Sequence, residues 1–178
     1  MHKEKQRKSI SEYVIAATAV FVSFSTLCVY IYQARIIEEH QHISVWPYVQ
    51  WVTNEVDGYR VLVANKGVGP AILGKVEIKL AGKDVANCED VIKEVLGDNA
   101  DIDAEYSTVQ GLVLSPGEEI AAIKIPGATA GKEFEMKLKA FHFEMKITYC
   151  SVYGDCWTCS GNEVQRVPSQ RIEGQTGG

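Results

Sequence analysis

The chain has 178 residues and a formal net charge of −5, enough for one modest domain and an appendage. Lys3, Lys5, Arg7 and Lys8 stand against Glu4 alone in residues 1–8, which leaves 14 Lys and Arg against 22 Asp and Glu elsewhere. So acidic a body excludes sequence-independent binding of nucleic acid, which needs a basic surface to neutralise phosphates.

From Tyr13 to Tyr32, "YVIAATAVFVSFSTLCVYIY" runs for 20 residues without a charge. At about 1.5 Å per residue, a helix of this length spans roughly 30 Å, the hydrocarbon thickness of a bilayer. Tyr13, Tyr30 and Tyr32 lie near its ends, where amphipathic rings favour the headgroup layer. A cleaved signal peptide shares the basic start, but its apolar core is shorter. No small-x-small cleavage site precedes Arg35, and the "STL" before Cys28 does not suit lipid attachment. The segment is therefore expected to be an uncleaved single-pass anchor. Four basic residues precede it and Arg35 alone follows it before Arg60, so the N-terminus is expected in the cytoplasm. The domain beyond is expected outside, in the periplasm or extracellular space, with the protein in the inner or plasma membrane.

"QARIIEEHQHIS" (33–44) is expected to carry the helix beyond the membrane until Pro47, which disfavours helix at the residue before it. His40 and His42, separated by one residue, point to different helix faces and read as solvated polar residues. Strand signals follow in "YVQWVT" (48–53), "YRVLVAN" (59–65) and "KVEIKLAG" (75–82). In the last, Val76, Ile78 and Leu80 alternate with Glu77 and Lys79, the period of a strand with one wet face. "CEDVIKEVLGDN" (88–99) predicts a short helix: Val91, Ile92, Val95 and Leu96 recur at helical spacing, and Gly97 suits the stop.

"GLVLSPGEEIAAIKIPG" (111–127) reads as strand, Pro-Gly turn and strand. "KEFEMKLKAFHFEMKITYCSVYG" (132–154) reads as one long strand in which Phe134, Met136 and Leu138 hold even positions and Phe141, Phe143, Met145 and Ile147 odd ones. A one-residue offset swaps sheet faces, so a bulge or bend is expected near Ala140–His142. The tail, 168–178, has little to bury and is expected to be disordered. The predicted organisation is a basic cytoplasmic N-terminus (1–12), a transmembrane helix (13–32), a helical membrane-proximal spacer (33–45), a β-domain (46–167) and the tail. The fold class is mainly β: the helix, then an immunoglobulin-like antiparallel β-sandwich with one short inserted helix.

"NKGVGPA" (65–71) contains Gly-x-Gly without the Lys-Ser/Thr and helix that a phosphate loop needs, and reads as an inter-strand turn. The segments "VWPYV", "VANKGVGPAIL" and "YCSVYGDCW", in that order, resemble a group of uncharacterised bacterial single-pass membrane proteins with an external β-domain. The resemblance covers about residues 10–160; it implies the architecture and brings no activity with it.

His142 has no nucleophile motif beside it and reads as a packing residue. "DNADIDAE" (98–105) lacks the spacing of a calcium loop and reads as a solvated acidic loop. Cys156 and Cys159 form Cys-x-x-Cys, but in hairpin context rather than at the helix N-terminus that a redox centre uses. Cys88, Cys150, Cys156 and Cys159 include enough thiolates for zinc, but without a second paired knuckle. Outside the cytoplasm, four cysteines are expected to form disulfides. A two-residue loop at Gly154–Asp155 sets Cys150 opposite Cys159 and leaves Cys156 for Cys88, one of three possible connectivities.

The expected function is a non-enzymatic binding or assembly module without a cofactor, metal or catalytic site, acting on an envelope protein or on itself. Trp46, Tyr48 and Trp51 are the candidate contact residues, since aromatic anchors tend to dominate interfaces. The alternative is the sensing or regulatory domain of a membrane-acting effector of defence or toxin type.

Overall fold

A computed structural model describes residues 2–97 and 103–168. The chain divides into two compact units, residues 1–43 and 44–178.

The first unit is a single helix, α1 (His2–Ser44), which ends three residues before Pro47. It has no amphipathic stripe, because its central residues are apolar all round. Its Ile10–Glu38 segment has a mean hydropathy of 2.2 and is long and apolar enough to cross a membrane. Four hydroxyl groups within it donate to the carbonyl four residues back: Thr18 to Val14 O at 2.7 Å, Ser23 to Ala19 O at 2.8 Å, Ser25 to Phe21 O at 2.9 Å and Thr26 to Val22 O at 2.8 Å. Such bonds keep polar groups paired where water is absent.

The second unit begins with β1 (Val49–Asn54) and β2 (Gly58–Asn65), an antiparallel pair. Then come β3 (Ala71–Leu80), β4 (Lys83–Val85) and the helix α2 (Cys88–Leu96). Asn87 caps α2 by accepting the Asp90 amide at 2.9 Å, and Val91, Ile92 and Val95 form its buried stripe. The strands β5 (Glu105–Tyr106), β6 (Val113–Leu114) and β7 (Glu119–Pro126) follow, then α3 (Ala128–Ala140). The described chain closes with β8 (Glu144–Cys150), β9 (Cys156–Ser160) and β10 (Glu163–Val167).

These strands form two antiparallel sheets. One has four strands in the order β1-β2-β7-β5; the other has six, β10-β9-β8-β3-β4 with β6 also on β3. The protein is thus mixed and β-rich, with a core from both sheets and both short helices: Val61 and Ile123 from one sheet, Leu73 and Ile147 from the other, Val91 from α2 and Phe134 from α3.

The long strand expected over 132–154 is corrected: residues 128–140 are helical. The alternation of Phe134, Met136 and Leu138 fits a strand, but Met136 is exposed while Gly131, Phe134 and Leu138 form the buried stripe of a helix. Glu133 pairs with Lys137 at 2.8 Å and Glu135 with Lys139, both at the i,i+4 spacing only a helix brings together. Tertiary packing selects the helix. Phe134 lies 5.6 Å from the Tyr59 ring, and Gly131 sits so close to β2 that an added Cβ would lie 2.7 Å from Gly58 Cα. The break expected near Ala140–His142 is a helix-to-strand junction rather than a bulge, turned by His142 at φ 49°.

The expected strand–turn–strand over 111–127 is present, but its arms separate: β6 pairs with β3, and β7 with β2. Residues 98–102 of the acidic stretch and 169–178 of the tail lie outside the described residues.

Candidate functional site

One end of the β-rich unit gathers the segments singled out in the sequence. Its first residues, 44–48, lead into β1 there, and Val49 pairs with Asn65 at the end of β2. The turn 66–70 crosses from one sheet to the other, the turn 115–118 returns to β7, and the hairpin loop 151–155 joins β8 to β9.

Asn65 organises this end. It is fully buried, and its side chain uses both kinds of polar atom. Oδ1 accepts the amides of Gly67 at 3.0 Å and Tyr48 at 3.2 Å; Nδ2 donates to Gly69 O at 2.8 Å and Leu114 O at 3.0 Å. Its backbone accepts from Gly117 N at 2.8 Å and donates to Glu118 O at 2.9 Å. One amide side chain therefore serves groups that burial would otherwise leave unpaired. Sequence reading passed over Asn65; the available signal was an Asn closing a strand, separated by one residue from Gly-x-Gly-Pro.

The same crossover fixes Trp46. Val68 N donates to Trp46 O at 3.0 Å, and Lys66 N to Tyr48 O at 2.7 Å. Gly69 packs directly on the incoming chain: a Cβ there would lie 1.8 Å from Val45 O, so no larger residue fits. "VWPY" and "NKGVGP" thus form one clamp. The Trp46 ring meets Tyr48 edge-on at 5.7 Å and remains 44 % exposed. Tyr48 is half-buried. Trp51 lies deeper: its Nε1 donates to Met145 O at 2.7 Å and its ring packs on Phe143 at 5.6 Å, across the two sheets.

The cysteines pair otherwise than expected. The disulfide joins Cys150 to Cys156; Cys88 and Cys159 are free and buried. The expected two-residue loop is replaced by a five-residue one, residues 151–155, with Ser151 N donating to Asp155 O at 2.8 Å and Gly154 N to Ser151 O at 3.1 Å. The ladder therefore sets Cys150 opposite Cys156 and Ile147 opposite Cys159. An odd shift in register exchanges faces, and this register places Cys159 beside Ile147 in the core. Burial pushes the Cys88 and Cys159 thiols up to about 11, which holds them neutral and unreactive. Burial also raises the Tyr149 phenol, whose hydroxyl approaches the Val49 backbone without closing a hydrogen bond of full geometry.

A groove of about 490 Å³ lies on another side, between the start of α2 and residues 106–110. Val76, Ile78, Cys88 and Val109 make its apolar lining, and Glu89 stands at its rim. Tyr106 donates to Glu89 Oε2 at 2.7 Å and Lys93 to Glu89 Oε1 at 2.7 Å; the lysine bond is the main reason the carboxyl is held below its usual range. His142 is exposed, with Nδ1 3.1 Å from Ala140 O. Among the described residues no three His, Cys, Asp or Glu side chains stand together as a metal site. The side chains of His40 and His42 lie outside the described set. Asp103 and Glu105 of the acidic stretch are exposed, and Glu105 pairs with Lys124 at 2.7 Å.

Comparison of the chain with protein-family models, curated proteins and solved structures finds no match.

Proposed function

We propose that the protein is a single-pass membrane protein whose β-rich unit is an immunoglobulin-like sandwich on the extracytoplasmic side, working as a non-enzymatic binding or assembly module. The strand orders β1-β2-β7-β5 and β9-β8-β3-β4 correspond to the ABED and GFCC′ sheets of immunoglobulin-type domains, which supports the sandwich reading. The Cys150–Cys156 disulfide and the basic residues ahead of the apolar helix support export of the unit.

The observation that carries the binding role is the loop end. Asn65, the glycine clamp and the disulfide hold Trp46 and its neighbours in a fixed arrangement while leaving the Trp46 ring open. Such preorganisation lowers the entropic cost of contact. The partners proposed are an envelope protein or a second copy of the chain.

Two measurements test the reading. A reporter active only outside the cytoplasm, fused after Gly178, is expected to work; activity of a cytoplasm-only reporter there overturns the orientation. Crosslinking of the full chain in intact cells is expected to trap one discrete partner or a homo-oligomer. If neither forms, the module reading fails, and toxicity on overexpression is the measurement that addresses the effector alternative.

A further inference from the structure

Outside α1, nine large apolar side chains are exposed among the described residues, and six of them cluster on the loop end: Trp46, Val68, Leu112, Val113, Val152 and Tyr153. The other three, Val56, Tyr106 and Met136, are scattered. The crossover and strand pairing bring their segments to one end: Val68 N donates to Trp46 O at 3.0 Å, Val113 lies opposite Ile72, Ile72 opposite Cys150, and the disulfide closes the loop that carries Val152 and Tyr153. Val68 is 66 %, Val113 57 % and Val152 54 % exposed. Val113 lies on the strand β6 and the other five lie on the segments that connect or lead into strands, so the cluster is drawn from separate segments rather than from one sheet face.

The chain itself limits what covers them. Ser44 ends α1, twelve positions beyond Tyr32, the end of the uncharged run. That leash rises at most about 18 Å, and less when the helix tilts. The headgroup layer alone is roughly 5–8 Å deep. The loop end, where the leash enters the domain, is therefore held close to the bilayer surface at high effective concentration. A bilayer interface accommodates several separate Trp, Tyr and Val tips without the shape complementarity that a protein partner needs.

We infer that the loop end docks on the lipid bilayer, with Trp46, Val68, Val113 and Val152 entering the boundary between headgroups and acyl chains. This rests on the membrane-anchored reading above, but gives the loop end to the bilayer and so moves contact with an envelope protein or a second copy away from Trp46. Docking leaves the long sides of the domain, including the groove beside α2, for a protein partner. The insertion is hydrophobic rather than electrostatic, because the described basic residues near this end are paired: Lys66 with Glu119 at 3.7 Å, and Arg166 with Asp155 at 2.5 Å. Neutral lipid is sufficient.

The test uses the full chain reconstituted in neutral phosphatidylcholine bilayers containing lipids brominated near the headgroup. These lipids are expected to quench a fraction of the tryptophan emission, and the Trp46→Phe substitution removes that fraction. The double variant Val68→Asp/Val113→Asp, altered only at exposed positions, should lose at least about half of the quenching with its circular dichroism unchanged. Anionic lipid and added salt should leave it unchanged. Absence of quenching in protein that resists alkaline extraction overturns the docking and leaves the anchor standing. Protein released by alkali overturns both. Crosslinks between copies through position 68 or 152, without lipid quenching, assign the loop end to a second copy and overturn the proposal.

Discussion

Asn65 and Leu114, 49 residues apart in sequence, are joined by a 3.0 Å hydrogen bond from the Asn65 amide to the Leu114 carbonyl. It ties the end of β2 to β6, and so one sheet to the other. Asn65→Leu keeps the volume but removes every side-chain bond at this junction. It is expected to destabilise the domain by about 2–4 kcal/mol, the scale of leaving buried backbone groups unpaired. Asn65→Asp keeps the acceptor but turns a carboxylate towards the Gly69 and Leu114 carbonyls. That raises the new group's pKa in the folded state, so the variant gains stability as pH falls and loses it as pH rises. Denaturant titrations at pH 5 and pH 8 distinguish the two variants; wild-type stability from Asn65→Leu would show the hub to be incidental.

Mass mapping without reduction should find Cys150 bonded to Cys156 and Cys88 and Cys159 as thiols. Reduction, or Cys156→Ser, should lower stability by about 2 kcal/mol, as chain entropy predicts for a loop this short. A Cys150–Cys159 or Cys88–Cys156 product would refute the register of β8 and β9.

The two buried thiols make stability sensitive to alkali. Each has a folded pKa of about 11, above the ordinary thiol value near 9. The folded state therefore retains the proton more strongly. The resulting stability is complete below pH 9 and is lost as pH rises towards 11. Replacing Cys88 and Cys159 with Ala should flatten this part of the pH–stability profile. An unchanged slope would mean that the thiols are not buried in solution.

In α3, Phe134 and Met136 separate the helical reading from the strand reading. Phe134→Ala should cost about 3–5 kcal/mol, as for other large core side chains. Met136→Lys should change stability by less than about 0.5 kcal/mol, because its side chain faces solvent. Comparable losses at both positions would support a strand in which they share a face.

The sequence by itself determined the features that depend on neighbours along the chain. An uncharged run gave the long apolar helix, and Pro47 set its end. Val91, Ile92, Val95 and Leu96 at helical spacing, with Gly97 after them, gave α2, while the Asn87 cap was seen only in the structure. The alternation of Val76, Ile78 and Leu80 gave the exposed and buried faces of β3. Tertiary structure decided the rest because local signals were balanced or silent. The segment 132–140 satisfies both periods, and contact with Gly58 and Tyr59 chose the helix. The cysteine pairing depended on a ladder register set by Ile147 and Tyr149 entering the core, which no spacing between cysteines reveals. The meeting of "VWPY", "NKGVGP", "SPGE" and "SVYGD" at one end required the two sheets to close on Asn65. Hydrogen bonds between distant backbone segments leave no pattern along the chain that makes them.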